Sequence, residues 1–232
     1  MEYKTIKAIS TIKKALNAIQ KDYRENPLYF ITDRSVQARI YAELFKYFYK
    51  PREVQVNEFR NKSWNEIQIK HKTIPLHAEL YQNYRRGKTY KKWEGRFVDL
   101  GIILDNKSLI ITAKHKGKED HGSFYGKPEW DPKHAIGIEV KFNDSYFKET
   151  KKNENRKWER FKDMVKKDLS KLNDYERGIF VLADREMVFS SKNDWREFVY
   201  ELIPKSKNNK RLRNIKAYCL SPNSYRTVFT YE

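Results

Sequence analysis

Cysteine is all but missing from this chain. Cys219 stands alone among 232 residues, which excludes an intrachain disulfide and a cysteine-built metal cage and suits a reducing compartment. Long apolar runs are missing too: none approaches the roughly 20 residues that span a bilayer, and the amino terminus lacks the apolar stretch of a signal peptide. A soluble, intracellular (cytoplasmic) protein with no membrane partner is the expectation. Acids are scarce, with 31 Asp and Glu against 49 Lys and Arg and a net charge of +18. That imbalance favours a polyanionic partner, or else is a lysine-rich bias with no binding role, so where the cations cluster matters more than their sum. The hydrophobic share, 39%, is lean but allows one substantial core at this length. There is no internal repeat, and no low-complexity tract beyond lysine-rich patches.

What the chain does contain centres on two short alternating runs. In I-G-I-E-V-K-F, Ile136, Ile138, Val140 and Phe142 share one parity, leaving Gly137, Glu139 and Lys141 on the other face of a strand. In R-F-V-D-L-G-I-I-L, from Arg96 to Leu104, Val98, Leu100, Ile102 and Leu104 share a face and Asp99 lies opposite beside Gly101. If these strands pair, Asp99, Glu139 and Lys141 converge.

Around them the spacing predicts an amphipathic helix over 4–23, carrying Ile6, Ile9, Leu16 and Ile19, either packed on the core or serving as a dimer or DNA arm. A second helix runs from Asp33 to Tyr49 with Thr32 or Asp33 as cap. Val36, Ile40, Leu44 and Phe48 form its buried stripe, and Glu43 sits at the edge, either solvated or reaching inward. The segment to Lys72 is ambiguous apart from a strand pattern over Trp64 to Lys70, and Ile74 to Tyr81 is another strand candidate. Leu109 to Ala113 can pair back on the Asp99 strand. A charged linker, Asn143 to Asn155, leads to a helix with Trp158, Phe161, Val165, Leu169 and Leu172 on one face. Gly178 to Ala183 is apolar throughout and reads as a strand covered on both sides. Trp195 to Leu202 is a short helix, and Ile215 to Leu220 and Tyr225 to Tyr231 are closing strands.

The cations cluster in three places. Arg85, Arg86, Lys88, Lys91 and Lys92 crowd a Gly-marked turn with Tyr84, Tyr90 and Trp93 interleaved, which supplies phosphate contacts and stacking rings for nucleic acid, or else is a solvated hairpin. Lys114, Lys116, Lys118 and Lys127 lie in a long loop that can line a groove. His115, His121 and His134 fall there too, without the tight spacing of a metal site. Lys205 to Arg213 is a second acid-free cluster.

Hydrolysis of a phosphodiester needs charge neutralisation and an activated water together, and magnesium supplies both. As a hard cation it takes one or two carboxylates plus waters and substrate phosphate, with manganese an acceptable substitute. Asp99 and Glu139 offer the carboxylates and the Val140 carbonyl a third ligand. Lys141 can hold the attacking water, and Glu43 can bind a second metal or orient a water. The E-V-K run by itself is the ordinary pattern of a half-exposed strand, a surface pair and no more.

Taken together, Glu43 in its helix, Asp99 in V-D-L-G and Glu139 with Lys141 in I-E-V-K resemble the PD-(D/E)XK nuclease superfamily, from about Asp33 to Ala183. The resemblance implies an α/β fold with a restriction-endonuclease-like three-layer core, a central mixed sheet flanked by helices in the order α-β-β-β-α-β. An N-terminal helical extension over 1–32 would precede the nuclease-like domain over 33–232. It implies magnesium at Asp99 and Glu139, assistance of the nucleophile by Lys141, and an auxiliary acid at Glu43. Val98 stands where the motif's proline would be. No Gln follows Gln82, so the Q-x-x-x-Y element of RecB-like exonucleases is missing. The expectation is a magnesium-dependent DNA endonuclease of restriction, junction-resolving or repair type. Its rivals are a catalytically silent nucleic-acid-binding module on the same fold and an electrostatic scaffold for ribonucleoprotein assembly. One site per chain makes a homodimer a route to cutting both strands.

Overall fold

The computed structural model describes residues 2–27, 30, 32–60, 65–83, 95–104, 109–111, 129–130, 132–143, 151–185, 187–203, 214–222 and 229–231. Apolar side chains three and four apart open the chain as α1 (Glu2–Glu25), with Ile12, Leu16, Ile19 and Tyr23 buried. α2 (Asp33–Phe48) begins where Thr32 takes an extended backbone. Its hydroxyl accepts the Ser35 N–H and the Ser35 hydroxyl accepts the Thr32 N–H, so first-turn donors that have no partner within the helix are satisfied. Val36, Ile40 and Leu44 are its buried stripe.

A hairpin follows, β1 (Arg52–Arg60) and β2 (Asn65–Thr73), then β3 (Leu76–Asn83), β4 (Gly95–Ile103), β5 (Leu109–Ile111) and β6 (Glu129–Trp130). A short 3-10 turn at Pro132–His134 leads into β7 (Ala135–Asn143). Then come α3 (Lys151–Leu172), β8 (Arg177–Asp184), α4 (Lys192–Leu202), β9 (Ile215–Leu220) and β10 (Phe229–Tyr231). The main sheet has the order β10-β9-β8-β7-β4-β3. β3, β4 and β7 form an antiparallel meander, while β7, β8 and β9 run parallel. A parallel neighbour needs a crossover, and α3 supplies the one between β7 and β8.

Helices cover both faces. Ile12, Leu16, Ile19, Tyr23, Val36, Ile40 and Leu44 of α1 and α2 pack on Leu100, Ile102, Ile136, Ile138 and Val140. Opposite, Phe161, Val165, Leu169 and Leu172 of α3 and Trp195, Phe198 and Val199 of α4 pack on Phe180, Leu182, Ala217 and Cys219. β8 sends Ile179, Val181 and Ala183 to the first layer and Phe180 and Leu182 to the second, which is why its sequence is apolar without alternation. The architecture is mixed α/β, with a mixed sheet flanked by helices. Among the described residues no helix is long and apolar enough to cross a membrane.

Several expectations change. β5 does not pair with the Asp99 strand: it lies parallel to β1 and antiparallel to β6 in a separate sheet, β2-β1-β5-β6. Both edges of β4 are already occupied, by β3 and β7. Arg52–Arg60, left ambiguous by its sequence, is a full strand paired with β2 from Arg52↔Thr73 to Arg60↔Asn65. Val98 does not share a layer with Leu100 and Ile102 but packs on the α3 side. α1, α2 and the sheet share one core. Gln20 of α1 also donates to the Ser221 carbonyl at 2.6 Å and accepts the Ser221 N–H at 3.0 Å just beyond β9.

Candidate functional site

The pairing of β4 with β7 runs Ile103↔Ala135, Ile102↔Ile136, Gly101↔Gly137 and Leu100↔Ile138, and stops there. The next step of that register sets Asp99 opposite Glu139. The strands part at this point, and N–H groups of β7 that would continue the ladder find carboxylates instead. The Val140 N–H donates to Asp99 Oδ2 at 2.7 Å and the Phe142 N–H to Asp33 Oδ1. On β4 the Asp99 carbonyl accepts from Gln37 Nε2 at 2.8 Å. The first turns of α2 are thus bonded to both parting strands. N–H and C=O of one strand residue point to the same edge, so the Val140 carbonyl opens towards β4 as well.

Gly137, Glu139 and Lys141 do share a face, and it is the one under α3. Lys171 Nζ of α3 donates to Glu139 Oε1 at 3.2 Å, Lys141 Nζ stands 3.2 Å from Asp168 Oδ2, and Lys171 Nζ lies 2.8 Å from Asp168 Oδ1. Three carboxylates, Asp99, Glu139 and Asp168, therefore meet two ammonium groups. Glu139 is 1% exposed. Burial, and then the charges of Asp168 and Asp99, push its carboxyl up to about 8 against the opposing pull of Lys171. Asp99 is also raised, by burial first, while the Val140 N–H and Lys141 act the other way. Burial disfavours both ammonium groups, yet Asp168 beside Lys141, and Glu139 with Asp168 beside Lys171, hold both above the ordinary lysine value.

The structure thus brings Asp99, Glu139, Val140 and Lys141 together. Glu43 stands elsewhere on α2, with its carboxylate on Lys46 one turn along. The α2 acid whose charge bears on Lys141 is Asp33, expected only as a possible cap. Sequence reasoning also passed over Asp168 and Lys171. The signal was present: Asp168 falls three residues after Val165 and four before Leu172, so it borders the apolar stripe of α3 and is 5% exposed. Arg85, Arg86, Lys88, Lys91, Lys92, Lys114 and Lys116 lie outside the described residues, as do Lys205 to Arg213.

Magnesium needs only one or two carboxylates from a protein, a number that the buried Glu139 and the half-buried Asp99 would supply. Among the described residues no group of three or more His, Cys, Asp or Glu side chains is disposed to hold a metal ion. The acids that adjoin where β4 and β7 part are Asp99 and Glu139, with the Val140 carbonyl beside them. No family model, curated protein or solved structure matches the chain.

Proposed function

We propose that the chain is a magnesium-dependent DNA endonuclease of the PD-(D/E)XK type, built on a restriction-endonuclease-like core. The observation that carries the reading is the parting of β4 from β7, where the Asp99 carboxylate reaches across to the Val140 N–H beside Glu139. Two acids forty residues apart in sequence so come close enough that the charge of Asp99 bears on Glu139. The order α2, β3, β4, β7, α3, β8 supports it as well, as does the net charge of +18.

Asp99 and Glu139 would hold the metal, with the Val140 carbonyl and waters completing its shell. When bound, it lowers the pKa of a coordinated water and neutralises charge on the phosphate. Lys141, two residues from Glu139 on the same face, donates to the attacking water and to the phosphorane oxygens as charge builds. Asp168 keeps the Lys141 amine protonated and aimed. Lys141 therefore acts as a fixed donor, not as a base. DNA is held by the cations and rings of residues 84–92 and by Lys114 and Lys116.

The test is digestion of supercoiled plasmid, single-stranded, junction and RNA substrates with and without magnesium. Asp99→Asn and Glu139→Gln should abolish cleavage while DNA binding stays within about tenfold, since each removes a metal ligand and little phosphate contact. Unchanged cleavage in either variant refutes the assignment.

One observation favours a second reading. Glu139 and Lys141 each have an ion-pair partner on α3, as a catalytically silent DNA-binding module would arrange them. Such a module binds DNA with a steep salt dependence and nicks nothing at any metal concentration.

A further inference from the structure

We propose that Lys171 is a built-in counter-cation at this site, one that a divalent ion displaces from Glu139 and that Asp168 then retains. The inference rests on reading Asp99 and Glu139 as metal ligands. The Lys171 ammonium is already shared, 3.2 Å from Glu139 Oε1 and 2.8 Å from Asp168 Oδ1. Leaving Glu139 therefore costs it one of two partners and no long excursion. Asp168 is suited to the exchange, because its other oxygen, Oδ2, holds Lys141 and its side chain is 7% exposed. Its position does not depend on which acid Lys171 favours.

The exchange also gives the site a sequence of charges. Without metal, the two ammonium groups are matched by carboxylates of the site, so the empty site gives a phosphodiester no net attraction. A dication that enters while both lysines stay on Asp168 makes the site positive. The metal-loaded site attracts the scissile phosphate and the empty one does not, so metal loading precedes productive DNA engagement. Lys171 sets the threshold for loading, because metal affinity is the difference between two cations competing for Glu139.

The measurement is calorimetric titration of the full chain with manganese at fixed pH. Lys171→Met removes the competitor and nearly keeps its length, so manganese affinity, corrected for the protons released on binding by titrating in buffers of different ionisation enthalpy, should rise at least about tenfold over the unaltered protein, the scale of a close charge pair. Lys171→Arg retains the charge and should bind no more tightly than the unaltered protein. Should the Met variant not fold, Lys171→Gln keeps a donor for Asp168 and carries the same expectation of tighter binding. Equal or weaker manganese binding after loss of the Lys171 charge, in a protein whose unaltered form binds the ion, overturns the counter-cation role and leaves the metal site standing. Absence of manganese binding in every form overturns the metal site and this role together.

Discussion

At the scale of single residues, the buried charge depends on what lies next to it. Gly137 faces α3 beside Glu139, and a Cβ there would come within 2.8 Å of Cγ of the Tyr175 ring. Gly137 also pairs with Gly101, so a bare strip of sheet receives that ring, and the Tyr175 hydroxyl is pushed up by burial and then by the charge of Glu139. Gly137→Ala should lower stability by about 1–3 kcal/mol, the usual cost of overpacking, read from the midpoint of urea unfolding. A second expectation concerns pH in metal-free protein. The Glu139 carboxyl is raised to about 8 from an ordinary 4.5, so folding favours its protonated form. Its contribution to stability is complete below about pH 4.5 and is lost as pH rises through about 8. His77 works in the opposite sense, because burial lowers its folded value below 6.5. Its contribution is lost as pH falls through that region. The difference between unaltered protein and Glu139→Gln isolates the first effect: the unaltered protein should lose melting temperature relative to the variant between pH 5 and 8 in chelator. Parallel profiles would show that Glu139 ionises freely in the fold.

Elements then decide which residues can meet. α1 was legible as an amphipathic helix, and its apolar stripe is the one that docks. What its own sequence leaves open is whether that stripe meets this core or another molecule. Ile12, Leu16, Ile19 and Tyr23 sit with Val36, Ile40 and Leu44 over the sheet. Leu16→Ala should therefore cost about 2–5 kcal/mol, as buried leucines do, and deletion of residues 1–25 should abolish cooperative unfolding by circular dichroism. A truncated chain that melts cooperatively would make α1 an appendage after all. α2 shows the limit of periodicity more sharply. The helix and its Thr32 cap follow from spacing and capping chemistry, yet Glu43 at the edge of the stripe bonds Lys46 while Asp33 in the first turn bonds the Phe142 N–H. Periodicity ranks residues around a helix axis. It does not say which end of the helix abuts a gap between strands.

For the molecule as a whole, the surplus of 49 cations over 31 acids predicts attraction to a polyanion, and the proposed DNA track makes that quantitative. Replacing Arg85, Arg86, Lys91 and Lys92 with Gln should weaken binding alike at all sequences. The slope of log affinity against log salt should flatten by roughly 0.9 for each phosphate no longer neutralised. An unaltered slope would place the track elsewhere, with Lys205 to Arg213 the next cluster to neutralise. The sequence by itself determined the helices, apart from the first turn of α3, which reads as linker up to Asn155, the strands that carry Asp99 and Glu139, and the face that Glu139 shares with Lys141, because these follow from local periods of 3.6 and 2 residues. Only the tertiary structure decided that β4 and β7 part at Asp99, that Val98 and Leu100 pack in different layers, that β5 joins β1, and that Asp168 and Lys171 close over the acids. Those outcomes depend on which strand edges are already taken and on charge compensation between segments distant in sequence, quantities that no local pattern carries.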